Sequence, residues 1–248
     1  MNRRMQIPDQ LKPRLQHIGA VAEQRGMQAY AVGGCVRDWL LRRPDGDRDL
    51  DIAVEGSGIA LARAAARELG GTVTAHEQFG TATLTLGAPP ECRIDFAACR
   101  RERYARPAAY PKIVPGALRD DLLRRDFTIN AMAVALNGRR QGALIDPFDG
   151  ARDLRRKRLR ILHARSLLDD PSRILRGVRF LSRFRFRWDP STERAARRAI
   201  ATGSLGWLNA GRLRKELTAM LAEPDPLACL HALATLMDSV PGETTPRA

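Results

Sequence analysis

The stretch Gly33-Gly34-Cys35-Val36-Arg37-Asp38, followed by Asp49-Leu50-Asp51-Ile52-Ala53-Val54, decides the fold of this chain. The second segment has strand character, and alternation along a strand places the carboxylates of Asp49 and Asp51 on one face. The aliphatic residues between them then point towards a core. Two carboxylates side by side on a strand, soon after a Gly-Gly turn, suit a divalent metal ion that bridges to phosphate oxygens. Because Asp-x-Asp is also common in turns, the pair alone does not establish a metal site.

The chain is strongly basic. It has 248 residues and a formal net charge of +14, and 38 of its 42 basic residues are arginine. Such an excess favours a polyanionic partner, and guanidinium groups suit bidentate phosphate binding and base stacking. A high genomic GC content also favours arginine codons, so composition alone leaves both explanations open.

Cysteine, histidine and hydropathy patterns indicate a soluble intracellular protein. The four cysteines form no CxxC pair and the four histidines are scattered, which favours a reduced, cytoplasmic setting. The N-terminus lacks an apolar signal region, and no apolar run reaches the roughly 18 residues that a membrane span requires. We therefore expect a cytoplasmic location and no membrane partner.

Hydrophobic periodicity predicts an α/β first half with a mixed sheet and a helical second half. The predicted helices cover residues 11–24, 36–42 (a helical turn) and 58–69, and the predicted strands cover residues 29–32, 49–54, 81–86 and 92–96. After residue 150 the pattern is helical. The predicted division is an α/β part over residues 1–150, a helical part over 151–240 and a flexible tail over 241–248.

Two further features of the first half are compatible with phosphate chemistry. The backbone N–H groups of Gly33 and Gly34 can approach a phosphate, and Arg37 follows one helical turn later. A plain strand-to-helix turn would look the same. Asp95 lies on a strand next to 81–86, so it could be a third carboxylate that helps to deprotonate an attacking hydroxyl, or a salt-bridge partner.

The most specific string in the chain is Leu123-Arg124-Arg125-Asp126-Phe127-Thr128-Ile129-Asn130-Ala131-Met132-Ala133. Charged and amide side chains bracket apolar ones, as expected where a triphosphate meets the edge of a core. The candidate nucleotide-binding residues in this string are Arg124, Arg125, Asp126 and Asn130.

A second string, residues 169–180, begins a basic helix. Asp170 is predicted as its N-cap and Pro171 as its first helical residue. Three arginines follow at three-residue intervals on one helix face, and they are Arg173, Arg176 and Arg179. An Asp-capped basic helix explains the start of this string, but it does not explain three arginines beside the cap.

Several strings together resemble the class II tRNA nucleotidyltransferase and bacterial poly(A) polymerase family. They occur in the family's order, as AYAVGGCVRDWLL with DRDLDIAV, RRDFTINAMA, IDPFDGARDL and DDPSRILRGVRFLSRF, and NAGRLRKEL resembles part of the helical neck that follows. The resemblance implies a DNA polymerase beta-like nucleotidyltransferase head with a mixed sheet, followed by an all-α neck.

The resemblance also implies roles for single residues. Asp49 and Asp51 match the family's Mg²⁺-binding pair, and Gly34 and Arg37 match its triphosphate contacts. Arg124 and Arg125 fall in the motif that orders ribose and phosphates. The base-reading residues are matched by Asp170 and Arg173, with Arg176 and Arg179 alongside. The family usually has Glu-Asp where this chain has Asp169-Asp170.

An Asp–Arg pair can select cytosine and adenine together. Both bases show an amino donor next to a ring-nitrogen acceptor, so a carboxylate can accept from the first while a guanidinium donates to the second. Uracil and guanine show the reverse order, and leaving such buried groups unpaired costs about 1–3 kcal/mol each.

The expected function is a template-independent, Mg²⁺-dependent enzyme that adds CMP, AMP or both, from CTP and ATP, to the 3′ end of tRNA or another RNA. The 3′-hydroxyl would attack the α-phosphate in line. An A-only enzyme, a CC-only enzyme and a poly(A) polymerase are alternatives. The segment 101–122, where the family carries the loop tied to switching from C to A, is present and favours A addition. An inactive RNA-binding module is the rival from another class.

The neck is expected to hold the RNA. Residues 151–188 contain thirteen basic residues against three aspartates, and Arg155, Arg156 and Arg158 precede the base-reading helix. The family's body and tail helices do not follow the neck in this sequence. We therefore expect primer binding to depend on the basic face of the neck, on a homo-oligomer or on a partner subunit.

Overall fold

The computed structural model describes residues 4–43, 49–87 and 92–238. The chain divides into two compact units: Met1–Glu102 with Ile113–Ala151, and Arg103–Lys112 with Arg152–Ala248. The predicted tail over 241–248 lies outside the described residues.

The secondary structure alternates in the first unit and is largely helical in the second. In chain order the elements are α1 (Lys12–Gln24), β1 (Gln28–Val32), α2 (Gly34–Leu40), β2 (Asp49–Glu55), α3 (Gly58–Leu69), β3 (Thr72–His76), β4 (Thr81–Leu86), β5 (Cys92–Ala98), β6 (Arg100–Arg103), β7 (Lys112–Pro115), α4 (Leu118–Leu123), β8 (Ala133–Ala135), β9 (Leu144–Ile145), α5 (Gly150–Arg155), β10 (Arg158–Leu159), α6 (Ser166–Asp169), α7 (Ser172–Phe184), β11 (Arg187–Trp188), α8 (Pro190–Ala201), α9 (Ala210–Leu221) and α10 (Pro226–Asp238).

The first unit is built on a mixed sheet. Its described strands run in the order β3-β4-β5-β2-β1-β8-β9. The pair β2–β5 is parallel, whereas β1–β2, β1–β8, β3–β4, β4–β5 and β8–β9 are antiparallel. The predicted mixed-sheet head is therefore confirmed.

The core lies on one face of this sheet. The alternate residues of β2 that face it, such as Leu50 and Ile52, are each 1% exposed, and Phe96 of β5 is fully buried. They form one cluster with the apolar stripes of α1 and α3. Ser57 is the N-cap of α3, and its side chain accepts a hydrogen bond from the Ala60 N–H at 3.2 Å. This packing leaves the opposite face of β2 available for polar residues.

The second unit consists mainly of helices. The apolar stripe of α7 is buried, with Ile174, Leu175 and Val178 at most 1% exposed, and α7 packs against α9 and α10. The neck was predicted as all-α, and the helical second half is confirmed, but β10 and β11 form a parallel pair of two residues each.

The segment 103–112 belongs to the second unit, whereas the sequence placed it in the head. Its backbone is tied to that unit: the Ala108 N–H donates to the Asp169 carbonyl at 3.2 Å, and the Arg212 guanidinium donates to the Ala108 carbonyl at 3.0 Å. Partners this distant in sequence leave no local signal. Among the described helices, none is both long and apolar enough to cross a membrane.

Candidate active site

Three carboxylates lie on the polar face of the sheet. Asp49 and Asp51 alternate with buried residues along β2, and both are exposed. The parallel register places Asp51 directly beside Asp95 of β5, so the two side chains share a face. The Asp95 carboxylate accepts a hydrogen bond from the Thr83 hydroxyl of β4. The structure therefore brings together the three predicted acidic residues.

The pKa of the Asp51 carboxylate is raised from its ordinary value. Protein around the carboxylate displaces water and raises its pKa; Arg125 opposes this, while Asp95, Asp49 and Asp121 raise the pKa further. The net shift is upward. Loss of hydration is the largest cause of this shift, and repulsion from the neighbouring carboxylates adds to it.

Arg125 is the cation that acts electrostatically on Asp51. Its Nη2 donates to the Asp121 carboxylate at 3.1 Å, while its buried Nε has no hydrogen-bond partner among the described residues. Gly33 makes room for the guanidinium: a Cβ there would lie 2.5 Å from Arg125 Nη1 and 3.6 Å from Asp51 Oδ2. The φ of 80° at Gly33 strains any other residue there, and a side chain would in addition displace the Arg125 guanidinium.

The Gly33 amide, predicted to approach a phosphate, is hydrogen-bonded within the protein. Its N–H donates to the Met132 carbonyl at 3.2 Å and so closes the turn between β1 and α2. Gly34 begins α2, so its amide is among those without a partner inside the helix. The absence of a side chain at Gly33 leaves space in which Arg125 and Asp51 lie close to the turn.

Three further predicted nucleotide-binding residues form a buried network. Arg37 donates bidentately to Asp38 at 2.8 and 2.9 Å, and its Nη1 donates to Asn130 Oδ1 at 2.6 Å. The Asn130 amide in turn donates to Asp126 at 2.9 Å, and Asp126 also accepts the Phe127 N–H. The predicted nucleotide-binding residues Arg37, Asp126 and Asn130 are thus hydrogen-bonded to groups of the protein, and their contact with nucleotide stays a prediction.

Arg124 and Arg125, although adjacent, have different surroundings. Arg124 donates to Asp121 from Nε and Nη2, at 2.9 and 2.7 Å, and to Glu102 from Nη1 at 3.1 Å. Burial opposes ionisation of Asp121, but attraction and hydrogen bonds from Arg125 and Arg124 outweigh it and lower the pKa of Asp121. Asp121 therefore stays charged and anchors both arginines, of which Arg125 keeps unused donor capacity.

The donor set fits a magnesium ion that is completed by its substrate. Among the described residues, no group of three or more His, Cys, Asp or Glu side chains is arranged to hold a metal ion by itself. Mg²⁺ is, however, usually bound by one or two carboxylates together with substrate phosphates and water. Asp49 and Asp51 supply such a pair, on the face where negative charge accumulates.

The second unit holds the predicted base-reading pair. The side chains of Asp170 and Arg173 are 15% and 5% exposed, and Arg173 Nε lies 3.8 Å from Asp170 Oδ2. Arg173 Nη1 also donates to the Ser166 hydroxyl at 2.6 Å, and Arg212 donates to Asp170 Oδ1. The pair is thus pre-oriented by neighbours on α6 and α9.

The helix that carries this pair begins slightly later than predicted. The structure starts α7 at Ser172, so Pro171 occupies the N-cap position that we assigned to Asp170. The Asp170 carboxylate still accepts the Ser172 N–H at 3.1 Å. Its capping contact therefore coexists with its contact to Arg212.

Arg176 and Arg179 do not join the base-reading pair. Arg176 donates to Glu216 at 3.2 Å, and Arg179 donates to Glu216 and Glu223, each at 3.1 Å. Arg183, one turn further, donates to Glu223 at 2.6 and 2.9 Å. Both arginines therefore join α7 to the α9 segment, and their contact with nucleotide stays a prediction.

The predicted RNA-binding arginines divide into two groups. Arg155 and Arg156 are exposed at the end of α5. Arg158 is partly buried, and its Nη1 donates to the Trp188 carbonyl at 3.0 Å. Arg158 therefore supports the β10–β11 pair, whereas Arg155 and Arg156 can reach a partner.

Sequence reasoning missed two residues that position the site. Asp121 lies on α4, three residues before Arg124 and four before Arg125. This spacing is typical of ion pairs along a helix and could have revealed its role. Arg212 lies in the NAGRLRKEL string but forty-two residues from Asp170, and no local pattern links them.

Comparison with known proteins identifies the family. The poly A polymerase head domain matches residues 29–160. The A-adding tRNA nucleotidyltransferase of Aquifex aeolicus is 46% identical over 79% of this chain and 23% of that protein. The enzyme of the same name from Halalkalibacterium halodurans is 42% identical over 90% of this chain and 52% of its own length. The CC-adding tRNA nucleotidyltransferase of Deinococcus radiodurans is 40% identical over 79% of this chain and 50% of its own.

Solved structures agree with this assignment. A CCA-adding enzyme in apo form II has a TM-score of 0.87 at 40% identity, over 93% of this chain and 53% of that one. A tRNA nucleotidyltransferase complexed with a primer tRNA and an incoming ATP analog has a TM-score of 0.79 at 40% identity, over 88% and 60%. The chain spans between 23% and 52% of the length of the curated relatives it matches here. On the match to the head domain and these identities, the chain belongs to the nucleotidyltransferase family with the poly A polymerase head domain.

Proposed function

We propose that this chain catalyses the template-independent transfer of CMP, AMP or both from CTP and ATP to the 3′ end of tRNA, in the cytoplasm. The observation that carries the proposal is the exposed carboxylate pair Asp49 and Asp51, set beside Arg125 at the Gly33 turn. Acidic groups next to an arginine with unused donors suit a triphosphate, whose oxygens need cations on several sides.

The residues of the first unit divide the work of phosphoryl transfer. Arg125 faces negative charge and would donate to the triphosphate of the incoming nucleotide. Asp95, adjacent to Asp51 and hydrogen-bonded to Thr83, would accept the proton of the attacking 3′-hydroxyl. The network of Arg37, Asp126 and Asn130 would hold the Gly-Gly turn in place, because its members bond to one another.

Asp49 and Asp51 would hold Mg²⁺, which supplies Lewis-acid activation of the reacting oxygens when bound. The repulsion that Asp95 and Asp49 exert on Asp51 supports this assignment, since a cation at this face would relieve it.

The second unit would select the base. Asp170 can accept from the amino group of cytosine or adenine while Arg173 donates to the adjacent ring nitrogen. Arg212 and Ser166 hold the two side chains, so little rearrangement would be needed on binding. Uracil and guanine would leave both groups unpaired.

Addition of A is the finer specificity we favour. The two relatives with the highest identities reported above are named A-adding enzymes, and the segment 101–122 is present and ordered around β6, β7 and α4. A CC-adding relative at 40% identity keeps C addition as the second candidate.

The test combines substrates and variants. Purified protein is incubated with Mg²⁺, each NTP separately, and tRNA transcripts that lack one, two or three 3′-terminal nucleotides. Incorporation of AMP, or of CMP, is expected to fall roughly a hundredfold or more in Asp51→Asn. Asp9→Asn, which changes an exposed acid of the same unit, is the control and should leave incorporation unchanged.

The same experiment decides against the rival function. If the wild-type protein binds tRNA but transfers no nucleotide from any NTP, the chain is an RNA-binding module. Near-normal transfer by Asp51→Asn, with circular dichroism matching the wild type, would contradict the assignment of the carboxylate pair.

A further inference from the structure

An exposed aromatic cavity lies on the second unit. It has a volume of about 360 Å³ and is lined by Arg106, Pro107, Ala108, Ala109 and Trp207. The chain contains three tryptophans, and Trp207 is 44% exposed whereas Trp39 and Trp188 are 5% and 7% exposed. An indole held open at the surface beside an arginine is costly to solvate, and such pairs are common where ligands stack.

A second exposed aromatic residue follows the cavity wall in sequence. Tyr110 follows the lining residue Ala109 and is 76% exposed. Its hydroxyl accepts a hydrogen bond from the Asn209 amide at 3.1 Å, and Arg212 Cζ lies 5.9 Å from its ring centroid. The ring is therefore fixed in position although most of its surface is open.

The wall of the cavity is attached to the base-reading pair. Ala108 adopts a φ of 57°, which is unusual for alanine. Its N–H donates to the Asp169 carbonyl at 3.2 Å, and its carbonyl accepts from Arg212 Nη1 at 3.0 Å. Arg212 also donates to Asp170. The same arginine thus positions the base reader and the cavity wall.

We propose that this cavity binds one unpaired base of the RNA 3′ end, stacked on Trp207, with Arg106 contacting the adjacent phosphate. The identity of the RNA rests on the function proposed above. Stacking on an aromatic side chain tolerates every base, because each base has a π-face, and basic side chains follow the backbone. A volume of about 360 Å³ is within the range of small-ligand sites.

The lining residues favour a primer base over the incoming nucleotide. Among their side chains, only Arg106 and the Trp207 indole carry polar groups, so the cavity has little with which to read a base edge. Asp170 and Arg173 already supply such a reader. A site without discrimination suits a nucleotide that has been incorporated and needs only to be held.

The first measurement is affinity for a labelled single-stranded RNA hexamer ending in CC, followed by fluorescence anisotropy. Trp207→Ala should weaken binding by about 5- to 150-fold, the range for the loss of one base–aromatic stack. Trp207→Phe retains a stacking ring and should restore most of the affinity. Phe79→Ala removes an exposed aromatic side chain of the other unit (55% exposed) and should have no effect. Intrinsic tryptophan emission of the wild type should be quenched by the hexamer.

The second measurement places the base. Hexamers with an abasic site at each of the last three positions are titrated into Asp51→Asn protein with and without Trp207→Ala. At one position the abasic site should weaken binding by protein that keeps Trp207 and leave binding by the Trp207→Ala protein unchanged, the signature of a direct contact. Additive effects at every position, or an equal loss of affinity for ATP or CTP, would overturn the proposal. Because neither titration requires transfer, failure of the enzymatic function would leave this outcome readable.

Discussion

At the scale of single residues, Arg125 and Arg124 show how neighbouring identical side chains take different roles. Both contact Asp121, but Arg124 uses its remaining donors on Glu102, while Arg125 Nε has no partner among the described residues. We expect Arg125→Lys to raise the KM for nucleotide by about 10- to 100-fold, since lysine keeps the charge but loses the planar fork.

The matched variant Arg124→Lys should act on stability instead. It removes hydrogen bonds to Asp121 and Glu102, so the melting temperature should fall while the KM changes little. Nucleotide titrations and thermal denaturation of both variants are the measurements. The assignment of Arg125 to the triphosphate would be wrong if the two variants changed KM equally.

Base selection is the other property that depends on a single residue. In Arg173→Ala the ring-nitrogen contact is lost and Asp170 reads only the amino group, so the preference for CTP and ATP over UTP and GTP should shrink by about 5- to 100-fold. Arg173 is 4% exposed and also bonds Ser166, so the variant should be less stable as well.

The ratio of incorporation between nucleotides separates these two effects, because it does not depend on the folded fraction. A uniform decrease for all four NTPs with an unchanged ratio would assign Arg173 to phosphate binding or to structure.

At the scale of elements, sequence patterns were informative where burial repeats locally. The helix over 58–69 and the strand over 81–86 have the predicted bounds, because alanine-rich and alternating patterns are read without knowledge of partners. The strand Thr72–His76 was missed: as an edge strand with no fully buried residue, it has a weak hydrophobic pattern. Contacts between residues that are distant in sequence could not be predicted from local patterns.

The α7 arginines are the clearest such case. Their periodicity was visible, but their acidic partners Glu216 and Glu223 lie about forty residues away, so the sequence could not distinguish an ion-paired helix interface from a nucleotide site. The buried hydrogen bond between Arg37 and Asn130 was not predictable for the same reason, because the two residues are ninety-three positions apart in the sequence.

The helix interface makes a pH prediction. Burial raises the pKa of Glu223, but hydrogen bonds and attraction from Arg183 and Arg179 outweigh it, so its folded pKa lies below the ordinary value of 4.5. A depressed folded pKa stabilises the protein above the unfolded pKa, and this contribution is lost as the pH falls through the folded value. Glu223→Gln should therefore lower stability at pH 7, by about 2–3 kcal/mol because Arg179 and Arg183 lose their shared partner.

Thermal denaturation from pH 7 to pH 3 is the measurement. The difference between wild type and Glu223→Gln should be constant near neutrality and should begin to shrink near pH 4.5, where the carboxylate of the unfolded chain protonates, and continue to shrink as the pH falls through the lower folded pKa. A difference as large at pH 3 as at pH 7 would indicate that Glu223 acts through packing rather than charge.

At the scale of the whole molecule, the chain has a net charge of +14 and divides into two units. The basic excess is visible in composition, but which arginines remain available is decided by tertiary partners. Many arginines of the second unit are ion-paired or hydrogen-bonded to carbonyls, while Arg155 and Arg156 are exposed. Homo-oligomerisation and a partner subunit stay predictions, which size-exclusion chromatography with light scattering would test.

RNA affinity should consequently depend on salt through a small set of residues. Each phosphate contact contributes about 0.7–0.9 to the slope of log K against log salt concentration. If Arg155 and Arg156 contact phosphates, Arg155→Glu with Arg156→Glu should reduce the slope by about 1.4–1.8 while nucleotide KM is unchanged. The matched control reverses Arg25 and Arg139, exposed arginines of the first unit, and alters the net charge by the same amount. Equal slopes in the two double variants would show that net charge alone attracts the RNA, because only a local contact can distinguish arginines at different positions.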